Sequence, residues 1–210
     1  MTGRHTRDEA REHVMRKVVV SQILSLDGRI TGPGGDVMVM PFDDGFSDNN
    51  AELLRGAGTV LLGRTTFEGF RDYWPDVRDD PDQPELEREI SRLNWAVDKV
   101  VVSDTLTAED TEPWSATTRV VPRVQAHEVV RSLREEEGGD VVVFGSHVLW
   151  NDLLSHGLVD ELHLLFGPGV VGTDGIPAFE DAAPARFRLL DVHRWEGSDL
   201  VRLRYAVHPA

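Results

Sequence analysis

Short runs of apolar, β-branched residues recur along the chain, and segments with helical spacing separate them. The four clearest runs are residues 17–23, 59–62, 99–103 and 140–145. Runs of this length, rich in valine and without polar alternation, are typical of strands buried on both faces. Apolar residues spaced as on one face of a helix occupy 126–137 and 147–156. The alternation predicts an α/β fold with a mainly parallel sheet.

The last third of the chain differs, because its apolar residues alternate with polar ones. Residues 186–192 and 200–205 form two such segments, and only Ser198 and its neighbours separate them. Alternation predicts strands with one face in solvent, and the short connection predicts that they pair antiparallel. We therefore expect the sheet to end in an antiparallel C-terminal hairpin.

Length and composition favour one domain, which we place at residues 15–210 behind a polar extension of residues 1–14. The chain has no cysteine, which excludes disulfides and thiolate metal sites and suits the reducing cytoplasm. No apolar run reaches the roughly 20 residues of a membrane helix. The sequence thus predicts a cytoplasmic protein with no membrane partner.

The formal net charge of -15 argues against nucleic-acid binding, which requires a basic surface. It does not argue against a phosphorylated cofactor. A few cations and helix N-termini can bind a dinucleotide locally inside an acidic protein.

Three predicted strands end in a small or hydroxyl residue, namely Gly63, Ser103 and Gly145. In open α/β sheets, ligands bind outside the carboxyl ends of the strands. Glycine lets the backbone approach a phosphate, and the next helix directs free N–H groups at the anion. Each turn alone is a weak indication, since glycine at such junctions usually serves geometry. The Gly-x-Gly-x-x-Gly and phosphate-loop lysine motifs are absent, so a dinucleotide site here has another design.

Six short motifs occur in a constant order between about residue 16 and residue 205. They occupy residues 25–30, 62–68, 99–105, 144–149, 157–162 and 172–179. Their order and spacing resemble the RibD C-terminal-like reductase domain of bacterial riboflavin biosynthesis, a stand-alone member of the dihydrofolate reductase-like superfamily. The resemblance implies a single-domain, three-layer fold, a homodimer, and NADPH-dependent reduction of a pterin, folate or riboflavin-precursor pyrimidine.

The resemblance also assigns cofactor-binding positions. The turn implied to hold the adenosine side and pyrophosphate of NADPH comprises Gly63, Arg64, Thr65 and Thr66. The positions implied near the 2′-phosphate are Ser103 and Thr105. The second pyrophosphate turn comprises Gly145, Ser146, His147 and Val148. A guanidinium such as that of Arg64 suits bidentate phosphate contact.

Two carboxylates are candidate catalytic residues. Asp27 lies on the loop that the resemblance places over nicotinamide and substrate, although an Asp-Gly turn also explains it. Asp48 begins a predicted helix through residues 51–55, where it could hydrogen-bond a pterin-like ring or simply act as the N-cap. We favour Asp27 over Asp48.

Other functions remain open at this point. The histidines are scattered and no pair has metal spacing, so we expect no metal site. The family's deaminase domain has no counterpart, because the chain has neither the cysteines nor the length for it. The weak catalytic signal leaves a dinucleotide-binding or interaction protein without turnover as the alternative. A reductase of carbonyl compounds is not distinguishable by sequence.

Overall fold

The computed structural model describes residues 15–180 and 184–208, which form one eight-stranded sheet with five α-helices. The strands are β1 Val18–Leu24, β2 Ala57–Gly63, β3 Asp98–Val102, β4 Thr118–Val121, β5 Asp140–Phe144, β6 Glu161–Phe166, β7 Arg186–Arg194 and β8 Val201–His208. The helices are α1 Asp44–Gly56, α2 Arg64–Val77, α3 Glu85–Ala96, α4 Ala126–Glu135 and α5 His147–Ser155. The extension predicted at 1–14 lies outside the described residues.

The strand order across the sheet is β4-β3-β2-β5-β1-β6-β8-β7. Strands β1 to β6 pair parallel with one another, whereas β8 pairs antiparallel with both β6 and β7. The mainly parallel sheet and its antiparallel C-terminal hairpin are therefore confirmed.

The central strands are buried on both faces, which explains their unbroken valine runs. Successive strand residues point to opposite faces. In β5, Val141 and Val143 belong to a core shared with α4 and α5, while Val142 and Phe144 belong to a core shared with α1, α2 and α3. Each such side chain contributes about 1.5–3 kcal/mol by burial. The helix-sheet-helix arrangement confirms the three-layer fold.

The sheet topology places the predicted turns side by side. Strand β2 lies between β3 and β5, with Leu61 opposite Val143 and Gly63 opposite Val102. Because these strands are parallel, their carboxyl ends share one edge of the sheet, here called the carboxyl edge. Gly63, Ser103 and Gly145 thus follow three adjacent strands. No helix in the described part of the chain is both long and apolar enough to cross a membrane.

Helix α1 begins earlier than the sequence predicts, so the start at Asp48 is wrong. Its N-cap is Asp43, whose carboxylate accepts hydrogen bonds from the backbone N–H of Gly45 at 3.0 Å and Phe46 at 3.2 Å. The four glycines and two prolines of residues 31–46 predict a loop, yet α1 already begins at Asp44. Gly45 instead reflects close packing, because a Cβ there would lie 2.8 Å from Ser198 Oγ.

Candidate functional site

Two of the predicted turns are hydrogen-bonded to each other at the carboxyl edge. The Gly63 N–H at the end of β2 donates to Ser146 Oγ at 2.9 Å. The Ser146 N–H donates in turn to Thr66 Oγ1 at 3.1 Å. The Gly145 N–H donates to the Ser21 carbonyl at 3.2 Å, which ties the second turn to β1. We call this unit, residues 63–66 with 145–147, the two-turn cradle.

The backbone of the second turn is left-handed at two successive residues. Gly145 has φ of 51° and Ser146 has φ of 54°, and Ser146 is the one non-glycine residue with positive φ in the described chain. This conformation costs a residue with a Cβ about 1–2 kcal/mol. The two hydrogen bonds of Ser146 hold it in place. The geometry sets the direction in which α5 begins.

The cradle presents hydrogen-bond donors for an anion. Neither α2 nor α5 has a side-chain cap at its N-terminus, and the first N–H groups of a helix have no intrahelical partner. Ser146 Oγ and Thr66 Oγ1 act as acceptors within the cradle, so each hydroxyl keeps its proton to donate. Two converging helix N-termini with two hydroxyl donors suit a pyrophosphate.

Arg64 lies at the first position of α2 with an exposed guanidinium. Its side chain is 53% exposed, and its nearest acid is Glu68 at 3.8 Å on the next turn. An exposed pair of this kind contributes little, so the guanidinium is free to turn toward a phosphate. Thr65 and Val148 are also exposed at this edge.

His147 opens α5 with a buried and unsatisfied ring nitrogen. Its Nε2 has no hydrogen-bond partner, while Nδ1 lies 3.9 Å from Glu180 Oε2. His147 therefore lies at the start of α5 with one ring nitrogen that makes no hydrogen bond within the protein. The cradle residues therefore fit a dinucleotide phosphate.

Ser103 and Thr105 lie at the end of β3, beside the cradle. Ser103 Oγ accepts hydrogen bonds from the N–H groups of Thr105 at 3.2 Å and Leu106 at 3.1 Å, so it shapes this turn. Ser103 also lines an open groove of about 590 Å³ together with Arg119. Sequence reasoning missed Arg119, because its proximity depends on the pairing of β3 with β4.

A smaller cavity of about 220 Å³ opens at the carboxyl ends of β1 and β6. Its lining comprises Ser25, Pro33, Val39, Met40, Pro41, Gly167, Gly169, Val170 and Val171. Val37 and Met38 beside it are 49% and 72% exposed, which gives the cavity an apolar margin. The apolar residues 37–40 form one wall of the cavity with its margin, and their occurrence within a glycine-rich segment is the sequence feature that could have indicated it. Three strand spacings separate β2 from β6, roughly 14 Å, so cradle and cavity are neighbours.

Asp27 joins the two loops around this cavity. Its carboxylate accepts hydrogen bonds from Ser25 Oγ at 2.6 Å and from the N–H groups of Val171 at 3.0 Å and Gly172 at 2.8 Å. These bonds lower the pKa of Asp27 to about 2, the Ser25 hydroxyl having the largest effect. Asp27 is therefore a carboxylate at neutral pH, and its contacts favour loop positioning over proton donation.

Asp48 lies within α1 with an exposed side chain, outside the cavity lining. The adjacent Asn49 faces the sheet instead and is fully buried. Its Nδ2 donates to Ser21 Oγ at 3.1 Å, and its Oδ1 accepts from Arg202 at 3.2 Å. The catalytic roles of Asp27 and Asp48 stay predictions. The sequence did not predict the buried contacts of Asn49, because it placed the start of α1 at Asp48.

The spacing of the histidines in the sequence predicted no metal site, but the structure brings three potential ligands together. Within the described residues, His127, Asp152 and His156 bring one potential ligand atom each to within 4.8 Å of one another. The sequence separation of 25 residues between His127 and Asp152 concealed this cluster. It lies on α4 and at the end of α5, away from the cradle.

Comparison with known proteins gives consistent results. Residues 16–200 match the RibD C-terminal domain family. The uncharacterized protein YyaP of Bacillus subtilis (strain 168) is 30% identical over 168 residues, covering 79% of this chain and 81% of YyaP. Acinetobacter baumannii RibD superposes with a TM-score of 0.67 at 20% identity, covering 92% of this chain and 58% of RibD.

A further solved structure has similar coverage on both sides. A pyrimidine reductase-like protein of Corynebacterium diphtheriae superposes with a TM-score of 0.59 at 18% identity, covering 93% of each chain. At these identities the structural matches establish the fold. They place this chain beside proteins of its own length as well as beside the longer RibD.

Proposed function

The chain belongs to the RibD C-terminal domain family, and from this premise we propose that it is an NADPH-dependent reductase of a flat heterocycle. The family is one of reductases, which supports oxidoreductase chemistry in general. The finer proposal names a pterin, a folate or a riboflavin-precursor pyrimidine as the class of substrate. The reported relatives include a RibD protein and a pyrimidine reductase-like protein, which supports this class.

One observation carries the proposal, namely the two-turn cradle beside an apolar cavity at the same edge of the sheet. The hydrogen bonds Gly63 to Ser146 and Ser146 to Thr66 join donors from α2 and α5 into one anion site. The adjoining cavity has apolar walls and a single serine among its lining. A dinucleotide needs this combination, because its phosphates are anionic and its reactive ring is flat.

NADPH would supply the hydride, while the protein positions the reactants. The residues proposed to hold its pyrophosphate are Gly63, Arg64, Thr65, Thr66, Gly145, Ser146, His147 and Val148. Ser103 and Thr105 are proposed to lie near the 2′-phosphate. Asp27 would keep the loops of residues 25–30 and 167–175 together, so that the cavity retains its shape around a ring.

The second candidate function is a dinucleotide-binding protein without turnover. The position of Asp48 favours it, because that side chain is exposed and outside the cavity. The low pKa of Asp27 favours it as well, since an ionised carboxylate does not donate a proton at neutral pH. For either function, we propose that the protein is cytoplasmic and forms a homodimer.

A turnover assay distinguishes the two functions. The full chain is incubated with NADPH and a panel of folates, pterins and aminopyrimidines, and the loss of NADPH absorbance is followed. Reductase function predicts oxidation that depends on one class of the panel. NADPH binding without oxidation across the whole panel would support the second function instead. Absence of NADPH binding would exclude both.

A further inference from the structure

We propose that His127, Asp152 and His156 form a surface site for a first-row divalent cation, zinc above all, which clamps α4 to α5. His127 lies in the first turn of α4. Asp152 lies in α5, and His156 follows the last residue of that helix. A bound ion would therefore connect two helices that are distant in sequence. This proposal is independent of the proposed reductase function.

The distances already approach those of a metal site. His127 Nε2 lies 2.6 Å from Asp152 Oδ2, and His156 Nδ1 lies 3.3 Å from Asp152 Oδ1. Around a tetrahedral zinc ion with bonds of about 2.0–2.2 Å, the ligand atoms lie roughly 3.3–3.6 Å apart. The three ligand atoms lie within 4.8 Å of one another. To surround an ion, the His127–Asp152 pair would have to widen and the more distant atoms approach, each by about 1 Å.

The two imidazoles converge on one carboxylate from different helices. Their ring centroids are 4.1 Å apart with an interplanar angle of 39°. A neutral imidazole is the form that binds metals. His156 Nδ1 also lies 2.8 Å from the Asp152 carbonyl oxygen, and binding an ion would replace this contact with a bond from Nδ1 to the metal.

The donor set selects the kind of ion. Two imidazole nitrogens and one carboxylate oxygen suit zinc and its first-row neighbours, whereas calcium and magnesium prefer oxygen ligands throughout. The side chains of His127, Asp152 and His156 are 30%, 44% and 49% exposed, so water can complete the coordination. The net charge of -15 attracts cations to the surface.

The site is separate from the two-turn cradle. Asp152 and His156 are five and nine residues beyond His147, which corresponds to roughly 8 and 14 Å along a helix. The helices meet through Val130, Leu133, Leu153 and Leu154, which share one core. A bound ion would link α4 and α5 at the surface, next to this apolar contact. It would stabilise the folded chain, because the unfolded chain lacks the preformed site.

Zinc titration of the full, untagged chain tests the proposal. The protein is treated with a chelator, dialysed, and titrated with zinc chloride while calorimetry measures the affinity and a thermal scan measures Tm. We expect one zinc ion per chain in the cluster and a Tm that rises with zinc concentration. Magnesium at the same concentrations should leave Tm unchanged, whereas an equal rise would indicate a general charge effect and overturn the proposal.

Variants assign the binding to these residues. His127→Ala and His156→Ala should each weaken zinc binding at least about tenfold. Asp152→Asn should do the same while preserving the side-chain volume, and far-ultraviolet circular dichroism verifies that each variant folds. His193→Ala on β7 is the matched control and should bind zinc like the original chain. Equal affinities for all four variants, or no zinc binding by the original chain, would overturn the proposal.

Discussion

Thr66 has two roles: it stabilises the turn at Ser146, and it is proposed to contact the NADPH pyrophosphate. Its hydroxyl oxygen accepts the N–H of Ser146, a residue in a left-handed conformation. Without this acceptor the turn loses one of the two bonds that hold it. The sequence predicted Thr66 as a phosphate contact, and its structural role was not predictable because the partner lies 80 residues away.

Thr66→Val should therefore destabilise the turn, because it leaves the Ser146 N–H without its acceptor. An unsatisfied, partly buried donor costs about 1–3 kcal/mol. We expect a lower urea midpoint and weaker NADPH binding. Thr66→Ser keeps the oxygen and should resemble the original chain. Equal behaviour of the valine and serine variants would show that the hydrogen bond has no such role.

Asp27 has a pH-dependent contribution to stability whose direction follows from its pKa. Folding lowers the pKa of Asp27 from its ordinary 3.8 to about 2, so the folded state favours the ionised carboxylate. The contribution is therefore fully present above about pH 4 and is lost as the pH falls toward about 2. We expect the difference in urea midpoint between the original chain and Asp27→Asn to shrink across this window.

The control for Asp27 is Asp174→Asn, which changes an exposed carboxylate in the same glycine-rich region. It should leave the urea midpoint nearly unchanged at every pH. A difference between the original chain and Asp27→Asn that stays constant from pH 6 to pH 2 would contradict the assignment of the carboxylate to these loop contacts.

Most secondary-structure elements were predictable from the sequence, but the start of helix α1 was not. The buried strands and the helices at 126–135 and 147–155 were predictable, because their periodicity is local. The start of α1 was not: Asp43 caps the helix directly, but its carboxylate is also held by Ser198, which donates to it at 2.7 Å from 155 residues away. The cavity wall at residues 37–40 was concealed for the same reason, since it depends on the distant residues 167–171.

Two substitutions in α1 compare the observed start with the predicted one. Asp43→Ala removes the N-cap and should lower the free energy of unfolding by about 0.5–2 kcal/mol. Asp48→Ala changes an exposed position inside the helix and should stay within about 0.5 kcal/mol. Urea unfolding of both variants gives the comparison. A larger loss for Asp48→Ala than for Asp43→Ala would restore the later start.

The edge strand of the sheet carries a candidate interface for the homodimer proposed above. In β7, Phe187, Leu189 and Val192 pair with residues of β8, and the irregularity between Leu189 and Asp191 brings Leu189 and Val192 to the same face. These three apolar side chains are 37%, 50% and 54% exposed. A contiguous apolar face at a sheet edge is typical of a protein interface. It supports the homodimer that the family resemblance implies.

Val192→Glu should consequently convert a dimer to a monomer in sedimentation velocity, because a charge in the apolar face opposes its burial. Val124→Glu makes the same substitution at a side chain that is 89% exposed in the short 3-10 helix Arg123–Gln125, and should leave the dimer intact. An original chain that sediments as a monomer, or a Val192→Glu variant that stays dimeric, would contradict this interface.

The two-turn cradle is proposed to bind NADPH, and Arg64 is its exposed cation. The measurement is the dissociation constant of NADPH, by cofactor fluorescence, for the original chain, Arg64→Ala and Arg92→Ala. Arg92 is the matched control, because its side chain is 48% exposed against 53% for Arg64, and each pairs with a glutamate. A charge-assisted hydrogen bond contributes about 1.5–3 kcal/mol, so Arg64→Ala should bind NADPH about tenfold to hundredfold more weakly. Arg92→Ala should match the original chain, whereas undiminished affinity in Arg64→Ala, or no NADPH binding by the original chain, would contradict the account.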